Sequence, residues 1–269
     1  MKIFLDKTKL KNFIRGEHNL GFVPTMGAIH KGHISLIEKS KKSCSMTLVS
    51  IFVNKPQFNN KKDFINYPRI LKTDISILKK LKIDILYIPT ESQIYPSGSN
   101  KKIKISSFQK KLCGKFRPGH FKAIVDVIDR FVKIIKPKKI FFGEKDKQQL
   151  EIIKDFAKKN HKNTKVIECK TIREKNGIAY SSRNLLLTKK QRFIASKIYK
   201  LLIKNKNNLI TKKSLINIYI DKIKKMGADN VDYIEAINLN RISETNKKKK
   251  KYKLFVAYYL GKVRLIDNF

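Results

Sequence analysis

The feature that most constrains what this chain can fold into is an alternation. From Leu20 onward, short apolar runs rich in β-branched residues take turns with segments whose apolar positions recur at helical spacing. Parallel strands need a crossover of a dozen or more residues between them, usually a helix, so this pattern predicts βαβ units around a parallel sheet. Strands are expected at Gly21 to Pro24, Met46 to Val53, Ile83 to Pro89, Lys139 to Phe142 and Thr164 to Cys169. Amphipathic helices are expected at Ile34 to Lys42, Thr73 to Leu81, Ala123 to Ile135 and Lys147 to Lys158, with Pro137 closing the third. The fold class is thus α/β, a Rossmann-like doubly wound parallel sheet. In such a sheet ligands collect in the loops that follow the strands.

After Cys169 the texture changes. A polar stretch runs through Asn184, followed by Lys-rich helical segments at Lys189 to Lys206 and Lys212 to Met226. Three apolar runs at Val231 to Leu239, Lys253 to Leu260 and Val263 to Ile266 suggest a small antiparallel sheet. A boundary near Thr171 would divide the chain into a domain of residues 1–170 and a smaller C-terminal α+β lid of residues 171–269. The dense block Lys247 to Lys251 reads as a solvated turn between strands.

The charge is the outlying number. Against 21 acidic residues stand 62 Lys and Arg, a formal net charge of +41. Such a balance raises the possibility of nucleic acid or an anionic membrane as partner. A binding footprint should cluster, however, and here Lys is spread from Lys2 to Lys262 in a chain also rich in Ile and Asn. That spread is read as compositional drift with no specific nucleic-acid partner. Cys44, Cys113 and Cys169 form no C-x-x-C pair and no four-ligand metal pattern, and an odd count suits a reducing compartment. The apolar run Ile3-Phe4-Leu5 is too short for a signal peptide, and no stretch reaches the roughly 20 apolar residues of a membrane helix. The expectation is a soluble, cytoplasmic protein without a membrane partner.

The sharpest local feature is GFVPTMGAIHKGH, Gly21 to His33, where a strand runs into a Gly-punctuated loop carrying His30 and His33. Two imidazoles and free backbone amides are expected to meet at a helix N-terminus, which carries roughly half a positive charge and attracts phosphate. Gly27 and Gly32 let backbone approach a ligand. Taken alone, His-x-x-His is as readily a surface pair beside turn glycines; a metal pair lacks a third ligand nearby.

The His30-Lys31-Gly32-His33 pattern resembles the H-x-G-H of the nucleotidylyltransferase superfamily, whose members attack the α-phosphate of ATP. Pro24-Thr25-Met26-Gly27, Ser50 to Asn54, Pro56-Gln57-Phe58, Tyr67-Pro68-Arg69, Arg117 to Phe121, Phe142 to Asp146 with Gln148-Gln149-Leu150, and Ser181 to Asn184 narrow the resemblance to the pantothenate synthetase family. These blocks follow that family's order and spacing from residue 21 to 184. The resemblance implies an ATP-dependent ligase that adenylates pantoate, joins it to β-alanine, uses Mg²⁺ and forms a homodimer.

The same resemblance assigns residues. His33 is the expected proton donor at the α–β bridging oxygen, with His30 bracing the phosphates and Lys145 reaching one of them. ATP contacts are implied for Met26, Gly27, Ala28, Ile29, His30, Lys31, Gly32 and His33. The turn Gly143, Glu144, Lys145 and Asp146 is implied as well, as are Ile172, Tyr180, Ser181, Ser182 and Arg183. Gln57 and Gln149 are implied as substrate contacts, and an amide that both donates and accepts suits pantoate's carboxylate and hydroxyls. Arg183 suits phosphate because its planar fork binds bidentately. Asp74 is a candidate Mg²⁺ ligand, although an Asp in a helix's first turn is ordinarily a dipole partner. Lys55, Lys147 and Tyr180 depart from the family pattern.

Two other readings compete. A basic nucleic-acid-binding protein would show clustered Arg and Lys with interleaved aromatics, which the sequence lacks. Another H-x-G-H adenylyltransferase, acting on a mononucleotide, would call for a basic pocket where Gln57 and Gln149 stand.

Overall fold

The computed structural model describes residues 1–100, 102–241 and 252–269. The chain begins with β1 (Lys2–Phe4), α1 (Lys7–Phe13), β2 (Leu20–Thr25) and α2 (Lys31–Lys41), then β3 (Met46–Ile51) and the short α3 (Lys61–Ile65). There follow α4 (Leu71–Lys80), β4 (Ile85–Tyr87), two further short helices, α5 (Glu91–Ile94) and α6 (Cys113–Phe116), and the long α7 (His120–Ile135). β5 (Lys139–Gly143), α8 (Lys147–Asn160) and β6 (Lys165–Cys169) complete the first unit. Beyond it lie α9 (Lys189–Thr211), α10 (Leu215–Lys225), β7 (Asn230–Asn238), β8 (Tyr252–Leu260) and β9 (Val263–Asn268).

Six strands form one sheet in the order β1-β4-β3-β2-β5-β6, and every pairing in it is parallel. The order reverses between β2 and β5, so the crevice past their C-terminal ends is the switch point at which such sheets bind ligands. Strand period explains why both faces are covered. Phe22, Leu48, Ile85 and Ile140 point to one side, where α7 and α8 supply Ile124, Phe131, Leu150 and Ile153. Their neighbours Val23, Val49, Leu86 and Phe141 point to the other, against Ile37 of α2 and Leu78 of α4.

Three antiparallel strands, β7-β8-β9, make the second sheet. Leu254 and Val256 of β8 bury against Ile198 and Leu202 of α9 and Ile223 of α10. The intervening Phe255, with Ile237 and Leu239, enters the core of the large sheet. The small sheet is thereby docked through one face onto the first unit.

Every expected strand and helix is present, with shifted ends. β1 was not anticipated: its three residues pair with Ile85 to Tyr87 at the sheet edge, and Ile3 stays exposed, so no alternation marks it. α7 begins at His120 rather than Ala123 because Gly119, at φ +80°, caps it directly after the Arg117-Pro118 turn. The expected turn at Lys247 to Lys251 falls outside the described residues. Among the described residues no helix is long and apolar enough to cross a membrane.

Candidate active site

β2 ends at Thr25 and β5 at Gly143, and the loops that leave them face each other across the switch point. A cavity of about 490 Å³ opens there. Met26, His30, Gly32 and His33 line it from the first loop and Gly143, Lys145 and Asp146 from the second. Gln57 and Gln149 line it too, as do Ile172 and Tyr180 to Arg183. Gly27, Ala28, Ile29, Lys31 and Glu144 are not part of the lining.

The first loop is held by a residue 46 positions away. Asp74, 1% exposed, accepts the Ala28 amide at 2.9 Å through Oδ2 and the Ile29 amide at 2.7 Å through Oδ1. Burial raises its pKa, and these two amides oppose that rise. Both oxygens of Asp74, the candidate Mg²⁺ ligand, accept loop amides, and its side chain is not part of the cavity lining. The expectation of free loop amides fails at residues 27, 28, 29 and 32. Gly27 N–H donates to Thr25 Oγ1 at 3.1 Å and Gly32 N–H to His30 Nδ1 at 3.1 Å, so the amides of residues 27, 28, 29 and 32 are spent internally. Gly27 is required on two counts, its φ of +79° and the 2.9 Å that would separate a Cβ from Asp74 Oδ2. Ala28 adopts φ +50° without being glycine, a strained state that the clamp maintains.

His30 caps α2 and accepts through Nδ1, which puts its proton on Nε2. His33 stacks on it, the rings 4.0 Å apart. Burial, reinforced by Lys145, lowers His30 to about 4. Burial, then His30 and Lys145, holds His33 well below its ordinary range. Both imidazoles are therefore neutral near pH 7 and offer N–H donors rather than acidic imidazolium. Tyr180, a departure from the family pattern, stacks beyond His30 at 6.2 Å, with Lys31 Nζ 6.0 Å above its ring.

The second loop is pinned from the far end of the chain. Asn268 Nδ2 donates to the carbonyls of Glu144 and Lys145 at 2.9 and 2.8 Å, and Lys253 pairs with Glu144 at 3.1 Å. Lys145 Nζ lies 3.6 Å from Asp146 Oδ1. Lys147, at a position where the pattern has an aromatic residue, is 4% exposed and sits 2.9 Å from Glu151 and 2.5 Å from Glu168. Burial disfavours its charge, yet the hydrogen bonds to Glu168 and Glu151 outweigh that and raise its pKa. Lys154 closes the group on Glu168. The Lys147 charge is thus matched by carboxylates.

The two adjacent glutamines separate by role. Gln148 is buried, accepting from Cys113 N–H at 3.1 Å and donating to the Phe108 and Lys111 carbonyls, whereas Gln149 is half-buried at the cavity. Gln57 is oriented on both sides: Asn54 Nδ2 donates to its Oε1 at 3.0 Å and its Nε2 donates to Met26 Sδ at 3.1 Å. Its carbonyl accepts from His120 Nδ1 at 2.7 Å and Arg117 Nη2 at 3.2 Å. Because guanidinium only donates, the 2.9 Å contact of Arg117 Nη1 with His120 Nε2 fixes the His120 proton on Nδ1. Lys55 is exposed and away from the cavity lining. Arg183 forks onto Asp63, at 2.9 Å to Oδ2, and Ser182 Oγ donates to the Ala28 carbonyl at 3.3 Å, tying the third segment to the first loop.

Sequence reasoning quoted Asn54, Arg117 and His120 inside motifs without giving them work, and missed Asn268. A residue type that completes hydrogen bonds over such separations carries no local signal. Among the described residues no cluster of three His, Cys, Asp or Glu side chains could hold a metal on its own.

Comparison with known proteins fits this geometry. The sequence model of the pantoate-beta-alanine ligase family matches residues 2–269. A pantothenate synthetase from Francisella tularensis subsp. mediasiatica is 43% identical over 264 residues, covering 97% of this chain and 92% of that protein. The crystal structure of a pantoate-beta-alanine ligase from Francisella tularensis, complexed with beta-gamma ATP and beta-alanine, superposes with a TM-score of 0.87 at 40% identity, covering 100% of this chain and 97% of that one. A pantothenate synthetase structure from Thermus thermophilus superposes at 0.86 with 27% identity, covering 100% and 99%. With the family model matched over residues 2–269 and solved members superposing at TM-scores of 0.87 and 0.86, this chain belongs to the pantoate-beta-alanine ligases.

Proposed function

We propose that the chain condenses pantoate with β-alanine through a pantoyl adenylate. The observation that carries this reading is the convergence of His30, His33 and Lys145 with the amides of Gln57 and Gln149 on one cavity at the switch point. In the first step a pantoate carboxylate oxygen attacks the α-phosphorus of ATP and the bond to the α–β bridging oxygen breaks, so negative charge grows on departing pyrophosphate. In this proposal His33, His30 through Nε2–H and Lys145 meet that charge as preorganised donors, a reading supported by their shared lining of the cavity. Binding of the triphosphate would itself favour protonation of the two imidazoles, which start neutral. In the second step the β-alanine nitrogen attacks the acyl carbon, the carbon–oxygen bond to AMP breaks, and the nitrogen gives up a proton.

Gln57 and Gln149 hold pantoate in this scheme, and Ser181, Ser182 and Arg183 grip the phosphates. For Arg183 that means exchanging Asp63 for phosphate. The loop amides at 27 to 29, already bonded within the protein, would hold the loop rather than donate to phosphate. Mg²⁺ fits the donor set as an ion carried in on the triphosphate, where it would neutralise phosphate charge; such ions commonly need only one or two protein carboxylates, and Asp146 is the carboxylate lining the cavity beside Lys145. Residues 171–269 serve as the covering unit over the nucleotide, a role supported by the bonds from Asn268 and Ser182 to the two loops. A homodimer working in the cytoplasm belongs to the same proposal and rests on family resemblance; sedimentation tests the dimer.

The deciding experiment is ATP–pyrophosphate exchange. Exchange should require pantoate and Mg²⁺ and proceed without β-alanine. Folded protein that gives no exchange with pantoate would overturn the proposal.

A further inference from the structure

Gln57 reaches the cavity from a backbone that is already fixed, since its carbonyl accepts from His120 and Arg117. What remains open is which end of its side-chain amide faces a ligand, because a half-turn exchanges donor and acceptor with almost no change of shape. A series of hydrogen bonds leading away from the cavity decides this. Asn54, 1% exposed, has Nδ2 3.3 Å from the Ala123 carbonyl, an atom that can only accept. Asn54 Nδ2 therefore lies on that side, and it also donates to Gln57 Oε1 at 3.0 Å. Gln57 Nε2 is left pointing at Met26 Sδ, 3.1 Å away, and a thioether likewise only accepts. Both ends of the series agree on its direction. Gln57 and Met26 line the cavity, so the amide meets a ligand with its NH₂ group.

That direction leaves one buried atom to be satisfied, Asn54 Oδ1, and the Tyr95 hydroxyl donates to it at 2.7 Å, the shortest bond of the series. Tyr95 is 8% exposed and not part of the cavity lining. Its ring lies 4.6 Å from the Arg130 guanidinium, which Asp126 holds at 2.7 Å and the Ile94 carbonyl at 2.8 Å. Burial, then Asp126, pushes the Tyr95 pKa up, so the hydroxyl keeps its proton. We infer that Tyr95 is a positioning residue for the ligase reaction: acting through Asn54, it commits the Gln57 amide to face pantoate as a donor. The inference rests on the ligase reading above, in which Gln57 holds pantoate. It adds which pantoate atoms Gln57 takes, namely oxygens that accept, with Met26 sulfur as the weak acceptor they displace. Without the Tyr95 hydroxyl, Asn54 Oδ1 is a buried acceptor with no donor, and Asn54 loses its tightest anchor. The 3.3 Å bond to Ala123 then restrains the Asn54 amide weakly, and the Gln57 amide loosens with it.

The test is Tyr95→Phe, which removes the donor and keeps the ring, read by pantoate-dependent ATP–pyrophosphate exchange with KM taken separately for pantoate and for ATP. The pantoate KM should rise about five- to tenfold, the worth of one neutral hydrogen bond, while the ATP KM stays within about twofold. Action through Gln57 predicts more than this. On a Gln57→Ala background the same Tyr95→Phe change should add less than about twofold, because the group it orients is gone. A merely structural loss would be felt equally on both backgrounds. If Tyr95→Phe does not fold, 4-fluorophenylalanine at position 95 carries the test, since it fills the space of the hydroxyl without donating. Three results would overturn the inference: a pantoate KM within about twofold of the unaltered protein, the full rise repeated on the Gln57→Ala background, or an ATP KM that rises in step. Failure of the ligase reading looks different, since the unaltered protein would then show no pantoate-dependent exchange.

Discussion

Replacing Asp74 with Asn tests whether the histidine loop depends on its buried clamp. The substitution keeps shape and volume, and Oδ1 can still accept one amide, but an NH₂ group then faces the other N–H where a carboxylate oxygen now stands at 2.7 or 2.9 Å. A hydrogen bond to a charged group contributes about 1.5 to 3 kcal/mol, and a buried donor left unsatisfied adds to that loss. The neutral amide is cheaper to bury than the carboxylate, whose pKa burial has raised, so part of the loss is returned. The net expectation is destabilisation of about 1 to 2 kcal/mol, or roughly 2 to 8 °C in Tm for a chain of this size. Activity should suffer more than stability. Ala28 is held at φ +50°, a conformation that costs about 1 kcal/mol or more, and His30 caps α2 only two residues later. A loop that relaxes there misplaces both imidazoles, and small misplacements cost up to about 10²-fold in rate. Pyrophosphate exchange should therefore drop between about tenfold and 10²-fold with the Mg²⁺ dependence unchanged. Exchange within about twofold of the unaltered protein would refute the clamp argument. A Tm that holds while the Mg²⁺ requirement rises tenfold would instead make Asp74 a metal ligand after all.

Other outcomes follow from the same geometry. His33→Ala should lower exchange by about 10²-fold while the pantoate KM changes less than about threefold, because its donor matters mainly in the transition state; steady-state exchange kinetics check this. Stability should fall with acid. His30, His33 and His120 are all held below the ordinary 6.5, His30 at about 4, so between those values the unfolded chain binds protons that the native chain refuses. Stability from these groups is complete above about pH 6.5 and is lost as pH falls, by up to about 1.4 kcal/mol per pH unit for each histidine. Urea midpoints at pH 7.5 and 5 should show the loss, and His30→Gln should reduce the difference.

The sheet was legible because its strands are buried on both faces and bounded by helices whose period is plain. Phe22-Val23, Leu48-Val49 and Ile85-Leu86 each send successive side chains to opposite cores, which leaves an apolar run that sequence alone reveals. β1 escaped because a three-residue edge strand with Ile3 exposed has no such run. In the site, Gly27, His30, Gly32 and His33 stood out since a tight loop and a cap need those residue types locally. The supports did not. Asp74 lies 45 and 46 positions from the amides it holds, and Asn268 123 and 124 from its carbonyls. An Asp in a helix's first turn and an Asn at a strand end look ordinary until folding sets them against a loop. For the same reason the amides of residues 27, 28, 29 and 32 looked available for phosphate, although the fold had already engaged them.

The claim at the centre of this account is that the pantoate carboxylate becomes joined to the α-phosphorus before nitrogen enters, and isotope transfer tests it directly. Pantoate labelled with ¹⁸O in both carboxylate oxygens is converted with ATP, Mg²⁺ and β-alanine, and the products are weighed by mass spectrometry. One ¹⁸O in each AMP formed, with none in pyrophosphate, is the predicted result. Label in inorganic phosphate with ADP as co-product, or AMP free of label, would contradict an adenylate and with it the roles given to His30, His33 and Lys145.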